Sequence, residues 1–309
     1  MQPWRFRIVS ETEAELLADP ARLLPVTDPG GRFMLAGFGV LLELLTVAAR
    51  AQGRELHADL AGAPLDHRAD GPIAVATLRL EPGGATDLPV ALVLSRRTSR
   101  LPYDGRPVEQ PVLDELRALA RGFGHVFEAT SEPELVRWVL ELNRDTLFYD
   151  LEDESARTEI GSWLRFSERR ASAERDGFSP ACLGFPGWLL RLFFRLPWVA
   201  RLPLLAGRLR RTYFRTTEGT RTVGWLTGPF ETPADWVCAG RLLGRIWLVL
   251  ESHGLHLHPF GSVITNPTAN ARLRERFGVD ETPWMLVRLG RSAGPPRSRR
   301  LRTDELLVR

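Results

Sequence analysis

Two long apolar segments, set with glycines at the same interval, constrain this chain more than any other feature. Phe33 to Gln52 reads as a strongly apolar helix stopped by Gly53. Pro233-Ala234-Asp235 opens a second helix that runs to Ser252 and stops at His253-Gly254. Gly39 to Gly53 in the first has the same spacing as Gly240 to Gly254 in the second. Pro3-Trp4 and Pro283-Trp284 each open a short strand. Two similar half-domains would explain this echo, although long apolar helices often look alike and the echo alone does not establish a duplication.

The remaining segments alternate short strands with helices, which argues an α+β or α/β class. Trp4 to Val9, Ile73 to Leu80, Pro89 to Leu94, Gly224 to Leu226 and Trp284 to Leu289 read as strands. Val108 to about Ala120, Pro133 to about Asn143, Glu152 to Ala173 and Ala269 to Phe277 read as helices. Residues 54–72 are mixed and broken by Gly62, Pro64 and Gly71, and His258 to Ser262 reads as a loop. Between Phe178 and Arg215 lies an odd segment, apolar and aromatic, punctuated by proline and arginine.

With 309 residues, 44% apolar and 26% charged, the chain has the composition of a well-cored globular protein. All 41 of its basic residues are arginine. The absence of lysine excludes a Schiff-base lysine or a lysine tuned as a base. The net charge of +3 is a weak argument for nucleic acid, and no nucleic-acid partner is expected. Cys182 and Cys238 form neither a metal motif nor a disulfide framework, which suits a reducing cytoplasm. The start has no apolar signal region. Leu183 to Gly207 comes nearest to a membrane span, but Arg191, Arg195 and Arg201 and three prolines interrupt it, so no integral membrane segment is expected.

Two arginine clusters follow apolar runs: Ser95-Arg96-Arg97-Thr98-Ser99-Arg100 and Pro296-Arg297-Ser298-Arg299-Arg300. Paired guanidinium forks with a neighbouring hydroxyl make a phosphate grip, and two such clusters brought together would hold a phosphorylated cofactor from both sides. The plainer account is a solvated charge run. His253, His256 and His258 invite a metal reading, but Gly254 and Pro259 break any helix there and no cysteine or paired carboxylate joins them, so no metal is expected. Glu152, Asp153 and Glu154 suit a helix N-terminus better than a general base. Ser262 near His258 has no matching acid or nucleophile elbow, which sets a hydrolase aside.

Taken in order, Gln2-Pro3-Trp4-Arg5-Phe6, Arg96 to Arg100 with Pro107-Val108, Ala239-Gly240, His258-Pro259-Phe260-Gly261 and Arg297 to Arg300 resemble the flavin-dependent nitroreductase superfamily. The resemblance is greatest to its longer Acg-like branch, in which two half-domains form a single-chain pseudo-dimer. It covers almost the whole chain. Of the family's N-terminal pattern, which ends in Gln-Pro-Trp, the serine and asparagine are absent here.

The resemblance implies an α+β nitroreductase-like fold with a central mixed sheet flanked by helices. It implies an N-terminal half at 1–94, a C-terminal half at 95–309 and a lid-like insertion at about 178–215. It implies bound FMN, with Arg96, Arg97 and Thr98 on one side of the phosphate and Arg297 and Arg299 on the other. Arg100 would lie nearer the ribityl chain or ring edge, and Pro259, Phe260 and Gly261 would present backbone to the flavin. The expected activity is a cytoplasmic oxidoreductase, with hydride transfer through the flavin from NAD(P)H or a substrate to a second small molecule by ping-pong. The alternative is a protein that sequesters FMN beneath a closed lid. The expected state is a pseudo-dimeric monomer or a homodimer. The segment at 178–215 would also suit docking on a lipid surface or a partner.

Overall fold

A computed structural model of the chain describes residues 2–196 and 203–308, the side chains of 203–206 apart. Pro197, Trp198 and Arg201 of the odd segment lie outside the described residues. In chain order the strands are β1 (Trp4–Ile8), β2 (Glu13–Ala18), β3 (Arg54–Leu60), β4 (Ile73–Pro82), β5 (Val126–Thr130), β6 (Thr222–Thr227), β7 (His256–Pro259) and β8 (Met285–Gly290). The helices before the odd segment are α1 (Arg32–Arg50), α2 (Val90–Ser95), α3 (Gln110–Gly122), α4 (Pro133–Asp150), α5 (Glu154–Ser162) and α6 (Glu168–Glu174). Within and after it come α7 (Pro180–Leu183), α8 (Gly187–Arg195), α9 (Pro203–Arg215), α10 (Pro233–Ser252), α11 (Gly261–Thr265), α12 (Pro267–Phe277) and α13 (Thr303–Leu306).

The class is α+β, as expected. The described strands form two separate four-stranded sheets, ordered β1-β2-β4-β3 and β5-β6-β8-β7, and every pairing within them is antiparallel, so there is no single mixed sheet. Counted from its first strand, each sheet has the same order. In each, a long glycine-bearing helix, α1 or α10, comes between the second and third strands. The echo read in the sequence thus accompanies a repeated strand order, although α4 to α9 come between β5 and β6, and α11 and α12 between β7 and β8.

By contact the chain divides into two compact units, neither contiguous in sequence. Unit 1 comprises 1–96, 229–252 and 300–309; unit 2 comprises 97–228 and 253–299. In unit 1, α1 and α10 lie against each other with their glycines in register. A Cβ on Gly39 would stand 2.1 Å from the Val237 carbonyl oxygen, and one on Gly240 would stand 1.9 Å from that of Ala36. Both helices are followed by a glycine in the left-handed region, Gly53 at φ 68° and Gly254 at φ 65°. Glu43, buried on α1, pairs with Arg241 and Arg245 of α10, each at 3.3 Å. Phe38, Leu42 and Met34 of α1 pack onto Leu16, Ala76 and Leu78 of the first sheet. Although α1 is long and apolar enough to cross a membrane, this face is buried among those residues.

Four local readings are corrected, the first being that His258 to Ser262, read as a loop, comprises the end of β7 and the start of α11. Pro89 to Leu94 is not a strand: Val90–Ser95 is a short helix, with Pro89 just before its first turn. A brief apolar run fits either state, and proline suits a helix start better than a ladder. The helix read over Glu152 to Ala173 is two helices, broken after Ser162 and restarted by Ser167, whose side chain caps the Arg170 N–H. Residues 54–72 contain β3, which pairs with β4.

Unit 2 carries the odd segment. Its helices bury Phe193 and Leu209 against Leu151 of the α4 end, with Phe148, Ile160 and Phe185 packed around them. Phe148 meets Phe193 and Tyr213 edge-on at 6.4 and 6.0 Å. The segment therefore builds its own small aromatic core on α4.

Candidate functional site

The second sheet and the loop before α3 bring most of the expected residues together in unit 2. The stretch 97–101 runs beside β7: Thr98 bridges Leu257 in parallel, and the Ser99 N–H donates to the Leu257 carbonyl at 3.3 Å. That pairing sets Arg100 beside His258 and the turn Pro259-Phe260-Gly261, and all of these residues line one cavity. Phe260 is buried, and its N–H donates to the Leu286 carbonyl at 2.8 Å, which fixes the turn to β8.

The cavity measures about 240 Å³. Its far wall is aromatic and apolar, built by Phe148, Phe185, Phe193, Phe194 and Leu209. The polar exceptions include Tyr213, whose hydroxyl accepts from Asn143 Nδ2 at 2.7 Å, and Ser262. A Cβ on Gly261 would meet nothing within 4 Å, so open space faces this backbone. Arg100 is poised differently from most arginines of the chain. Its guanidinium sits 4.9 Å over the Phe178 ring and has no hydrogen-bond or carboxylate partner among the described residues, and burial lowers its pKa. A larger groove of about 580 Å³ beside α4 and α12 is more polar and contains none of the expected residues.

The two arginine clusters also meet. Arg97 Nη1 donates to the Pro295 carbonyl at 2.8 Å, and the Ser99 and Ser292 hydroxyls are 2.7 Å apart. These contacts bring the base of the second cluster against the first, while Arg297 and Arg299 stand exposed on the loop beyond Pro295. Arg96, in unit 1, stacks 4.7 Å over the Trp247 ring. Burial and the nearby Arg300 lower its pKa to about 10. The Nε atoms of Arg96 and Arg97 are both buried with no hydrogen-bond partner. A buried, unpaired guanidinium N–H is costly, and an anionic oxygen is the group that satisfies it best.

Arg288 escaped the sequence reading. It is fully buried, and its guanidinium donates to the carbonyls of Thr216 (2.8 Å), Leu101 (3.1 Å) and Ser99 (3.3 Å) and to Thr220 Oγ1 (3.3 Å). It also lies 4.3 Å over the Tyr103 ring, whose hydroxyl burial pushes up to about 12. One side chain thus ties the Arg100 stretch to the end of the odd segment. The only signal in the sequence was an arginine inside an otherwise apolar strand, Met285 to Gly290.

Arg288 Nε also reaches His258 Nδ1 at 3.4 Å, which requires that nitrogen to be an acceptor. Burial first, then the charges of Arg100 and Arg288, hold His258 well below its ordinary value of 6.5. The imidazole is therefore neutral when folded and binds a proton more readily when unfolded. The stability this contributes is present above the unfolded value and is lost as pH falls below it. The expected slope is up to about 1.4 kcal/mol per pH unit. His258→Gln is expected to flatten that part of the curve between about pH 6.5 and 5, as read by urea denaturation at stepped pH. An unchanged acid limb would show that His258 is not the group responsible.

The three clustered histidines turn to different partners: His253 to Glu115 at 2.8 Å, His256 to the Ser292 hydroxyl at 3.4 Å, and His258 to Arg288. Among the described residues no group of three or more histidines, cysteines or acids is placed to hold a metal. Asp153 caps α5, accepting from the Ala156 N–H at 2.7 Å.

No family model matches the chain. It is similar to the "Probable NAD(P)H nitroreductase PigM" of Serratia sp. (strain ATCC 39006), with 27% identity over 325 residues, covering 97% of this chain and 86% of that protein. Among solved structures it is similar to the FMN-dependent nitroreductase NfnB from Mycobacterium smegmatis in complex with NADPH. That match has 16% identity and a TM-score of 0.45, and covers 69% of this chain and 94% of that one. A nitroreductase with bound FMN from Bacteroides fragilis NCTC 9343 matches at 12% identity and a TM-score of 0.36, over 66% of this chain and 88% of that one. The sequence likeness to the Serratia nitroreductase, at 27% identity, spans nearly the whole chain.

Proposed function

We propose that the protein is an FMN-dependent oxidoreductase of the nitroreductase type that passes electrons from NAD(P)H to a small organic substrate. One observation carries this reading: within unit 2, the Arg97 Nε is buried without a hydrogen-bond partner, and Arg100, which has none among the described residues, faces a cavity beside Pro259-Phe260-Gly261. These residues fit a ligand with a phosphate at one end and a flat ring at the other. Arg96, Arg97 and Thr98 would hold the phosphate, with Arg297 and Arg299 as exposed flanking charges. Arg100 would meet the polar edge of the ring, and the open backbone at Gly261 would lie against it. Bound FMN would supply two-electron hydride chemistry, which the protein orients and tunes.

The chain's own part is positional and electrostatic. The stretch that carries Arg100 is held by the β7 pairing and by Arg288, which binds the Ser99 and Leu101 carbonyls, so Arg100 would be in place to stabilise negative charge on a bound ring. Neutral His258 adds no competing charge. The apolar wall of Phe148, Phe193 and Leu209 excludes water from the reacting face. Donor and second substrate would use the same cavity in turn, which gives ping-pong kinetics. Nitroaromatics, quinones and a substrate undergoing dehydrogenation all remain compatible with this wall. We further propose that the repeated strand order, with a long helix in the same place, represents two nitroreductase-like halves of the Acg-like kind, with 178–215 as the insertion.

The odd segment forms so much of the cavity wall that a second reading stands beside the first: FMN held out of reach of nicotinamide. The visible spectrum of the purified protein, before and after anaerobic NADPH, separates them. Flavin bands that bleach are the expected result. Bands that persist favour sequestration. A colourless protein that takes up no FMN on titration would overturn both.

A further inference from the structure

Residues 177–217 contain seven arginines and neither aspartate nor glutamate. The net positive charge of the whole chain comes from this stretch, and the rest is net acidic. Its helices divide their faces sharply. On α8, Leu190 and Phe193 are buried, whereas Trp188 is 70% exposed and shares its face with exposed Arg191 and Arg195 at i, i+3, i+7 spacing. Leu196, just beyond, is 40% exposed. On α9, Leu209 is buried while Arg208, Arg211 and Arg215 are exposed at the same spacing.

Among the described residues none of these five arginines has an ion-pair partner, although several charged side chains around them do. Arg165 pairs with Asp176, Arg170 with Glu174, and Arg144 with Asp145. A row of unpaired like charges is repulsive, so within the chain it brings no stability. It becomes favourable against an anionic surface. Arginine stems that cover apolar ground while their heads reach outward, next to a solvent-facing indole and leucine, are what a helix lying in a lipid headgroup layer presents.

We propose that the outer faces of α8 and α9 dock on an anionic lipid bilayer, with Trp188 and Leu196 entering the headgroup boundary and the arginines meeting lipid phosphates. Nucleic acid also offers phosphates, but it gives Leu196 no apolar medium. The inner faces of the same helices wall the cavity, so docking would set that wall close to a reservoir of apolar molecules.

The test is flotation of the full-length protein with vesicles of zwitterionic lipid alone and with about 30 mol % phosphatidylglycerol added. Binding is expected to the anionic vesicles only, and to be released by about 0.5 M salt. Each arginine near such a surface is worth about fivefold in partition. The triple variant R208E/R211E/R215E should therefore bind at least about 100-fold more weakly. W188A should bind more weakly and lose part of the tryptophan quenching caused by brominated acyl chains. All four positions are exposed, so circular dichroism should show both variants folded. Binding unchanged in both variants, or no binding to either vesicle, would overturn the proposal. So would tighter binding to a DNA oligonucleotide than to vesicles at equal salt. A charge-reversed variant that loses self-association, with no vesicle binding in the parent, would assign the face to a second copy of the chain instead.

Discussion

Gly240→Ala is expected to cost about 3 kcal/mol or more, and Gly240→Val to leave unit 1 unfolded. The added carbon would stand 1.9 Å from the Ala36 oxygen, 2.6 Å from its carbonyl carbon and 2.8 Å from its Cα. These are backbone atoms of α1, so no rotamer change can relieve the overlap, and the helices must separate. Separation would also pull Glu43 away from Arg241 and Arg245 and leave a buried carboxylate without its partners. Gly37→Ala on the same α1 provides the contrast. Nothing lies within 4 Å of its Cβ, so alanine should be neutral or stabilise by about 0.5–1 kcal/mol through helix propensity. Circular dichroism melts and soluble yield read both. Comparable behaviour of the two alanine variants would mean that the helices do not meet at Gly240.

Arg97→Glu is expected to weaken FMN binding by at least about 100-fold, because it replaces a charge-assisted phosphate contact with like-charge repulsion. The residue is well placed to matter. Its Nη1 is held by Pro295, while its Nε is buried without a partner. Titration with FMN and with riboflavin, which lacks the phosphate, isolates the effect. The parent should prefer FMN strongly, and the variant should bind the two alike. Wild-type affinity for FMN in the variant would refute the phosphate assignment while leaving Arg100 and the cavity untouched. Arg299→Glu should act in the same direction but less, since Arg299 is exposed and its charge is screened.

The long helices, the glycine echo and the two arginine clusters were legible because each rests on local chemistry: periodicity, a terminating glycine, or a dense run of one charge. The strands Glu13–Ala18 and Arg54–Leu60 were not. Their glutamates, leucines and alanines favour helix, and only pairing on either side of β4 makes them strands. In the candidate site, Arg100 and the Pro259 turn were singled out by resemblance, and they line one cavity. Arg288, Tyr213 and Asn143 were not, because each acquires its role from a partner distant in sequence. Arg288 binds carbonyls on the 99–101 and 216–220 stretches, and Tyr213 takes its hydrogen bond from α4.

The interleaving of the two units has a consequence for synthesis. Unit 1 needs residues 229–252 and 300–309 in addition to its first 96, so a ribosome must make all of unit 2's first stretch before α1 meets α10. Throughout that interval α1 waits without its partner, a 19-residue helix whose most apolar 18 residues have a mean hydropathy of 1.7. A nascent chain in that condition is a natural client for chaperones or for the machinery that recognises emerging apolar helices.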